Sequence, residues 1–398
     1  MLFYPTNVSA DSSRSPIDRP TIGTADAARS VAVVDFDGLS ELDKQVWETI
    51  RATRPEFRSP FFSVGFSAAV HRARGDVDVA ILREGSDPIG YFPFHRIRNV
   101  ALPVGRFFND AHNIITRREH LIDWMWFLKQ CDLKAFDFHA MPGTSQAVLD
   151  EHSHGTIDSF AADIGDDSIA YLNRLRKSHR TIARQPQKTR KMQREIGPVR
   201  LEFDCRDPEL LDLTIGWKRQ QYRRTHILDL FGPNWTRRLV TELHRADDES
   251  QHDETTHDDR DDTTMRGLLS VLWAGDQVVA AHFGIREGDL IHYWFPAFNA
   301  KYARYSPGTA LYCAMIESAT EKGVRCIDMG YGEQPYKLKQ TDAVTSVAFG
   351  CLSRSRLHGW WRSAETKAIS MVKRMPMKEP IKRVWRRVQP QAGISKIR

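Results

Sequence analysis

The stretch LLSVLWAGDQVVAAHFGIREGDLIHYWFPAFNAKYARYSPGTALYCAMIESATEKGVRCIDMGYGEQPYK, residues 268–337, decides the fold. Apolar runs at 268–274 and 278–285 flank a Gly/Asp turn, and a third run follows at 290–298. Their lengths and bounding turns read as strands. A Pro-Gly loop (299–308) then feeds a helix at 309–322, and a strand at 324–329 ends in the polar cluster DMGYGEQPYK. A tight loop opening a helix directly after a strand is a setting for a pyrophosphate, because free N–H groups and the helix dipole both favour negative charge there.

The same order occurs 190 residues earlier. DVAILREGSDPIGYFPFHRIRN (78–99) matches LLSVLWAGDQVVAAHFGIREGD (268–289), and a helix around Leu121–Cys131 with the strand KAFDFHA (134–140) matches the helix from Leu311 and the strand RCIDMG. A repeat this long implies two copies of one domain. The copies differ at the loop: Pro307-Gly308 precedes the second helix, whereas TRREH (116–120) precedes the first. A charged junction without glycine is poorly suited to close backbone approach to a phosphate. Ligand binding is therefore expected in the second copy, and the first is expected to be degenerate.

A chain of 398 residues, 41% hydrophobic, is long enough for about two domains with real cores. Five widely spaced cysteines without a CxxC pair argue against a disulfide framework or zinc site and for a reducing, cytoplasmic setting. No run approaches a membrane span. The N-terminus lacks the basic and apolar segments of a secretory signal. The expected organisation is a mobile lead-in at 1–35, a degenerate domain at 36–165, a catalytic domain at 166–355 with an acidic insertion at 247–264, and a basic tail at 356–398.

Charge is distributed unevenly. Residues 247–262 hold nine acidic residues against one arginine and read as a solvated insertion. Without them the remainder has 56 basic and 42 acidic residues, a net +14 rather than +6. Nine Lys/Arg fall between Arg174 and Arg194, on a helix-like stretch at 168–196, with Glu195 as the acidic counterpart. Such a surface is either a solvated face or a guide for an anionic substrate or nucleic acid. Nucleic acid is the weaker option, since no exposed aromatics are interleaved for base stacking.

The tail carries thirteen Lys/Arg and two Glu from Arg354 to Arg398. Trp360, Ala364, Ala368, Met371 and Met375 recur at helical spacing, and Ile381, Val384, Trp385 and Val388 form a second stripe. Basic amphipathic helices with tryptophan suit an anionic membrane surface, here the inner face of the cytoplasmic membrane. The alternative is a stripe that packs back on the body.

Several strings together resemble the CelD-type acetyltransferase family: SPFFSVGFSAAVHRARGDVDVAILREGSDPIGYFPFHR (59–96), LPVGRFFNDAHNII (102–115), GLLSVLWAGDQVVAAHFGIR (267–286), YSPGTALYCAMIESATEKGVRCIDMG (305–330) and EQPYKLK (333–339). That family lies in the GNAT superfamily, in the tandem arrangement shared with Fem-type transferases, and its name is connected with cellulose and extracellular polysaccharide production. The resemblance spans about residues 40–355 and implies an α/β fold of tandem GNAT-like domains, mixed sheets flanked by helices. It further implies that strands 290–298 and 324–329 splay apart, with acetyl-CoA or another acyl-CoA as donor pairing between them and Pro296 near the splay point. The donor's pyrophosphate would rest on Tyr305, Ser306, Gly308, Thr309 and Ala310, with Phe295 beside its arm. The family's loop usually has two small residues after Gln/Arg-x-x, whereas Arg304-Tyr-Ser-Pro-Gly308-Thr-Ala310 has one glycine and a changed spacing.

Acyl transfer needs a base for the nucleophile, a donor for the oxyanion and a proton for the departing thiolate. Glu333 is the expected base and Tyr336 the acid or orienting donor. Asp328 is a second catalytic candidate or a cap of backbone N–H groups. Lys337, Arg180 and Trp294 are expected to bind substrate. His282 and His292 sit on neighbouring strands; His282 is either a base or a buried core histidine. Cys313 and Cys326 read as packing residues. His252 and His257 do not form a metal site, and no metal is expected.

These features lead to an acyltransferase moving an acetyl or acyl group from acyl-CoA to an amine or hydroxyl on a glycan or envelope precursor. One alternative is a Fem-type transferase using aminoacyl-tRNA. Another is a non-catalytic accessory of polysaccharide synthesis at the membrane surface.

Overall fold

The computed structural model describes residues 29–117, 122–144, 146–245, 264–332 and 334–374. Residues 247–263 of the acidic insertion, Glu333 and residues 375–398 of the tail therefore lie outside the described residues. In the first half, β1 (Arg29–Asp35) is followed by α1 (Glu41–Ala52) and α2 (Val64–Arg74). The strands β2 (Asp78–Glu84), β3 (Asp87–Ile97), β4 (Val100–Pro103) and β5 (Ile115–Thr116) come next. Then follow α3 (Trp124–Gln130), β6 (Ala135–Met141), α4 (Gln146–His152) and β7 (Ser153–Asp163).

Three helices, α5 (Ser168–Ser178), α6 (Arg180–Ala183) and α7 (Gln185–Glu195), open the second half. The pattern then repeats with β8 (Val199–Glu202), α8 (Pro208–Thr225), α9 (Asn234–Arg245), β9 (Arg266–Ala274), β10 (Gln277–Glu287) and β11 (Leu290–Phe298). It closes with α10 (Pro307–Ser318), β12 (Cys326–Tyr331), α11 (Lys337–Gln340) and β13 (Ala343–Ser353), and α12 (Arg356–Arg374) follows. Residues 29–35, expected within a mobile lead-in, instead form β1, paired antiparallel with β2 from Arg29↔Glu84 to Asp35↔Asp78.

All described strands join one mixed sheet in the order β1-β2-β3-β4-β6-β13-β7-β12-β11-β10-β9-β8, with β5 pairing β3 off this path. The order is a palindrome about the β13–β7 pair. Strands β3 and β10, β4 and β11, and β7 and β13 start 190 residues apart. The middle differs from two side-by-side domains. Strand β13 of the second half is flanked by β6 and β7 of the first, and β7 of the first is flanked by β13 and β12 of the second. The closing strands are exchanged, so a cut near residue 165 divides the sequence but not the sheet.

Helices cover both faces, which is why β9 is buried almost throughout and reads as an unbroken apolar run. One face packs α1, α2, α8 and α9 into a single cluster in which Trp47, Phe66 and Phe108 of the first half meet Phe231, Leu239 and Phe283 of the second. On the other face, Tyr171, Leu172, Leu311 and Ile316 of α5 and α10 seal the second half, and Phe127 and Leu128 of α3 seal the first. The stretch at 168–196 is three helices rather than one, broken at His179 and Arg184.

Because β13 completes the sheet of the opposite half, a chain ending at Asp342 would leave β6 and β7 with bare edges. The expected outcome is loss of the cooperative thermal transition of both halves, followed by circular dichroism. A truncated chain melting like the full one would contradict the exchange.

Candidate functional site

Parallel strands β11 and β12 pair at only three positions, Leu290↔Cys326, Ile291↔Ile327 and His292↔Asp328. Beyond them the strands part. Each carries an irregularity where they separate: β11 has an extra residue between His292 and Phe295 against β10, and β12 has one between Asp328 and Gly330 against β7. Bulges bend a strand and add twist, which opens the fork. Residues 293–298 of β11 thereby lack a partner strand on one side, as the splay implied by the family resemblance requires. Pro296 lies within that stretch, past the apex.

The apex is charged. His292 is buried, its Nδ1 3.2 Å from Asp328 Oδ2 and its Nε2 3.3 Å from Asp110 Oδ2. Burial opposes a charge on the ring, but the two carboxylates outweigh it and raise its pKa to about 9. Asp328, half-buried, is held below its ordinary value because His292 and the Gly330 N–H outweigh desolvation. Gly330 has φ +69°, and a Cβ there would lie 2.2 Å from Asp110 Oδ2, so this glycine is what lets Asp110 approach.

Asp110 comes from the first half. There β4 and β6 also pair in parallel for only two residues before diverging. The segment Asn109–His112 is bonded to β6: His112 N–H donates to Ala140 O at 3.0 Å, and His139 and Ala140 N–H donate to His112 Nε2. The segment that fills the first fork thus delivers a carboxylate to the second. Asp110 carries no distinguishing sequence motif, and only the fold brings it to His292.

Other expected residues gather nearby. Tyr336 is partly exposed, its hydroxyl pushed up to about 12 by burial and by Asp110. Lys337, expected to bind substrate, is instead buried, its Nζ donating to Gly330 O and Tyr331 O at 3.1 and 2.7 Å; it ties down the turn after β12. Lys218 of α8 is also buried, donates to Pro296 O at 3.1 Å, and is lowered to about 8 by desolvation. His282 is a core residue: its ring stacks on Tyr293 at 4.0 Å, neither nitrogen has a partner among the described residues, and burial keeps it neutral. Cys313 and Cys326 are pushed up to about 12 by burial, which suits packing rather than nucleophilic roles.

The loop before α10 corrects several expectations. Thr309 and Ala310 N–H groups both donate to Ser306 O at 3.0 Å as the helix begins, so of the three amides it is the Gly308 N–H that has no partner among the described residues. Tyr305 is buried and donates to Glu195 Oε2 at 2.5 Å rather than facing a ligand. Phe295 lies in the core against Phe108 and Phe231, and Trp294 packs on Phe61, Phe66 and Phe108. Backbone cradling by the loop is therefore slight. In its place stands α7, whose Lys188 Nζ reaches Ser306 Oγ at 2.7 Å and whose Gln185 donates to Tyr305 O at 3.1 Å. Arg180 and Arg184 are exposed just before α7 and make no ion pair among the described residues. The basic stretch and the Pro-Gly loop, far apart in sequence, form one surface.

Residues 176–338 match the family model described as an acetyltransferase (GNAT) domain. Among solved structures the chain is similar to FemX, at 10% identity over 77% of this chain and 94% of that one with a TM-score of 0.49. It is also similar to a tandem GNAT protein from the clavulanic acid biosynthesis pathway, at 9% identity over 82% and 99% with a TM-score of 0.44. No curated protein matches. The mixed α/β fold, a large mixed sheet flanked by helices, is GNAT-like.

His292 would release its proton near pH 6.5 in the unfolded chain and near 9 in the folded one. Its contribution to stability is complete below 6.5 and is lost as pH rises through 9, with a slope on the order of 1 kcal/mol per pH unit. Urea unfolding across that range should show the decline, and His292→Gln should flatten it. A wild-type profile that is level there would mean the ring is neutral.

Proposed function

We propose that the chain is an acyl-CoA-dependent N- or O-acyltransferase with its reaction centre at the β11–β12 fork. The observation that carries this reading is the Asp110–His292–Asp328 array at the apex, beside the unpaired stretch 293–298. An extended thioester arm would add to that edge as a strand does, bringing its carbonyl to the apex. The acceptor nitrogen or oxygen attacks the thioester carbon, the C–S bond breaks, and the acceptor proton passes to a carboxylate. Asp110 is the proposed base, since Asp328 is fully committed to His292 and Gly330. The imidazolium of His292 favours the developing oxyanion electrostatically, and Tyr336 is the proposed source of a proton for the thiolate.

Lys188, with Arg180 and Arg184, is proposed to hold the donor's phosphates in place of a glycine-rich loop. No metal is invoked. The acceptor is proposed to be an amine or hydroxyl on a glycan or envelope precursor, a choice supported by the resemblance of residues 40–355 to CelD-type sequences. Aminoacyl-tRNA as donor is the second reading. It is favoured by the exposed Lys177, Arg180, Arg184 and Arg190 on and between α5, α6 and α7, which form no ion pair among the described residues.

Free CoA release from acetyl-CoA, measured over a panel of amino-sugar and hydroxyl acceptors, tests the proposal. Asp110→Asn should lower kcat by about 100-fold or more with the KM for acetyl-CoA little changed. Lys188→Ala should raise that KM roughly tenfold, the worth of one charge-assisted hydrogen bond. Full activity in Asp110→Asn would remove the assigned base, and saturable tRNA binding without CoA affinity would select the second reading.

A further inference from the structure

Helix α12 docks by its polar side. His358 Nε2 and Arg362 Nε lie 3.0 Å from the two carboxylate oxygens of Asp137 on β6. Burial opposes the charge on Asp137, but His358 and Arg362 hold its carboxyl low. One turn on, the Ser363 and Thr366 hydroxyls lie 3.2 and 3.0 Å from the two ring nitrogens of His154. Residues 358, 362, 363 and 366 recur at helical spacing and form the inner stripe.

The opposite stripe is apolar and faces water. Leu357, Trp360 and Trp361 are 81%, 68% and 64% exposed, and Ala364 and Ala368 continue the same side. A surface helix ordinarily turns its apolar stripe to the core, so α12 is inverted, and packing of this stripe on the body, one of the two readings of the sequence, does not occur for residues 357–361. Arg354, Arg356 and Lys367 are exposed around the patch. No described helix is long and apolar enough to cross a membrane.

We infer that α12 is an interfacial anchor whose Leu357–Trp360–Trp361 face enters the headgroup–acyl boundary of an anionic membrane, with the flanking cations on lipid phosphates. Tryptophan is suited to that boundary, since its ring is apolar and its N–H is not. Charge selects the occupant: residues 354–398 hold thirteen Lys/Arg and two Glu. That excess is attracted to an anionic surface and repelled by a second copy of itself. The inference stands apart from the transferase reading.

The test is sedimentation of the full chain with vesicles of phosphatidylcholine alone or mixed with phosphatidylglycerol. The chain should partition to the anionic vesicles, less so as salt rises, and W360S/W361S should weaken partition roughly tenfold or more. Both tryptophans face water, so the variant should keep the wild-type melting curve; if it does not, Leu357→Ser serves instead. Three outcomes overturn the inference: wild type left in the supernatant with anionic vesicles, undiminished binding by the variant, or a tryptophan-dependent dimer in the ultracentrifuge. A chain that turns over acetyl-CoA yet ignores vesicles would sink this inference alone.

Discussion

Strands β7 and β13 each complete the sheet of the other half, and most of the structure follows from that exchange. Neither half can satisfy its inner strand edges alone, because the edges of β6 and β12 that face away from β4 and β11 pair only with β13 and β7, across the boundary. Two repeats that might have been loosely tethered domains are instead locked into one sheet. Apolar packing reinforces the lock: α2 and α9, the corresponding helices of the two halves, share a single core cluster. The fixed relation between halves is what allows a side chain from residue 110 to serve strands that begin at residue 290.

The apex of the fork shows how that rigidity is used. An imidazolium buried between strands loses its hydration, a cost of several kcal/mol unless compensated. Here compensation comes from Asp328 on the adjacent strand and Asp110 from the opposite half. The two forks are related by the palindrome yet differ in content. In the first, Asn109–His112 occupies the diverging region and His112 stays neutral, its pKa pushed well down by burial. In the second, the corresponding space is bordered by Lys218, Tyr336 and a charged histidine. A duplicated frame thus carries one fork occupied by Asn109–His112 and one lined by charged and polar groups.

Helix α12 extends the same face. Asp137, which receives His358 and Arg362, is two residues along β6 from His139, whose ring nitrogen meets Asn109 O beside Asp110. The inverted helix and the segment that carries Asp110 are therefore both held by β6. Fixing the helix by its polar stripe is costly unless every buried group is paired, and Asp137 and His154 supply those partners.

Periodicity and turn residues in the sequence determined the strands at 268–298, the helix after Pro307, the repeat at an offset of 190 and the α/β class, because these depend on local pattern. Asp328 and Tyr336 were legible as polar residues at a strand's end. Only the tertiary structure decided the strand exchange, the entry of Asp110, the burial of His282, Tyr305 and Lys337, and the union of Lys188 with Ser306. Those outcomes rest on which edges pair across more than a hundred residues, and strand pairing depends on partner geometry that no local pattern encodes. The inversion of α12 has the same origin: a helical stripe announces that one face is apolar, but which face meets the body is settled by the partners that Asp137 and His154 happen to offer.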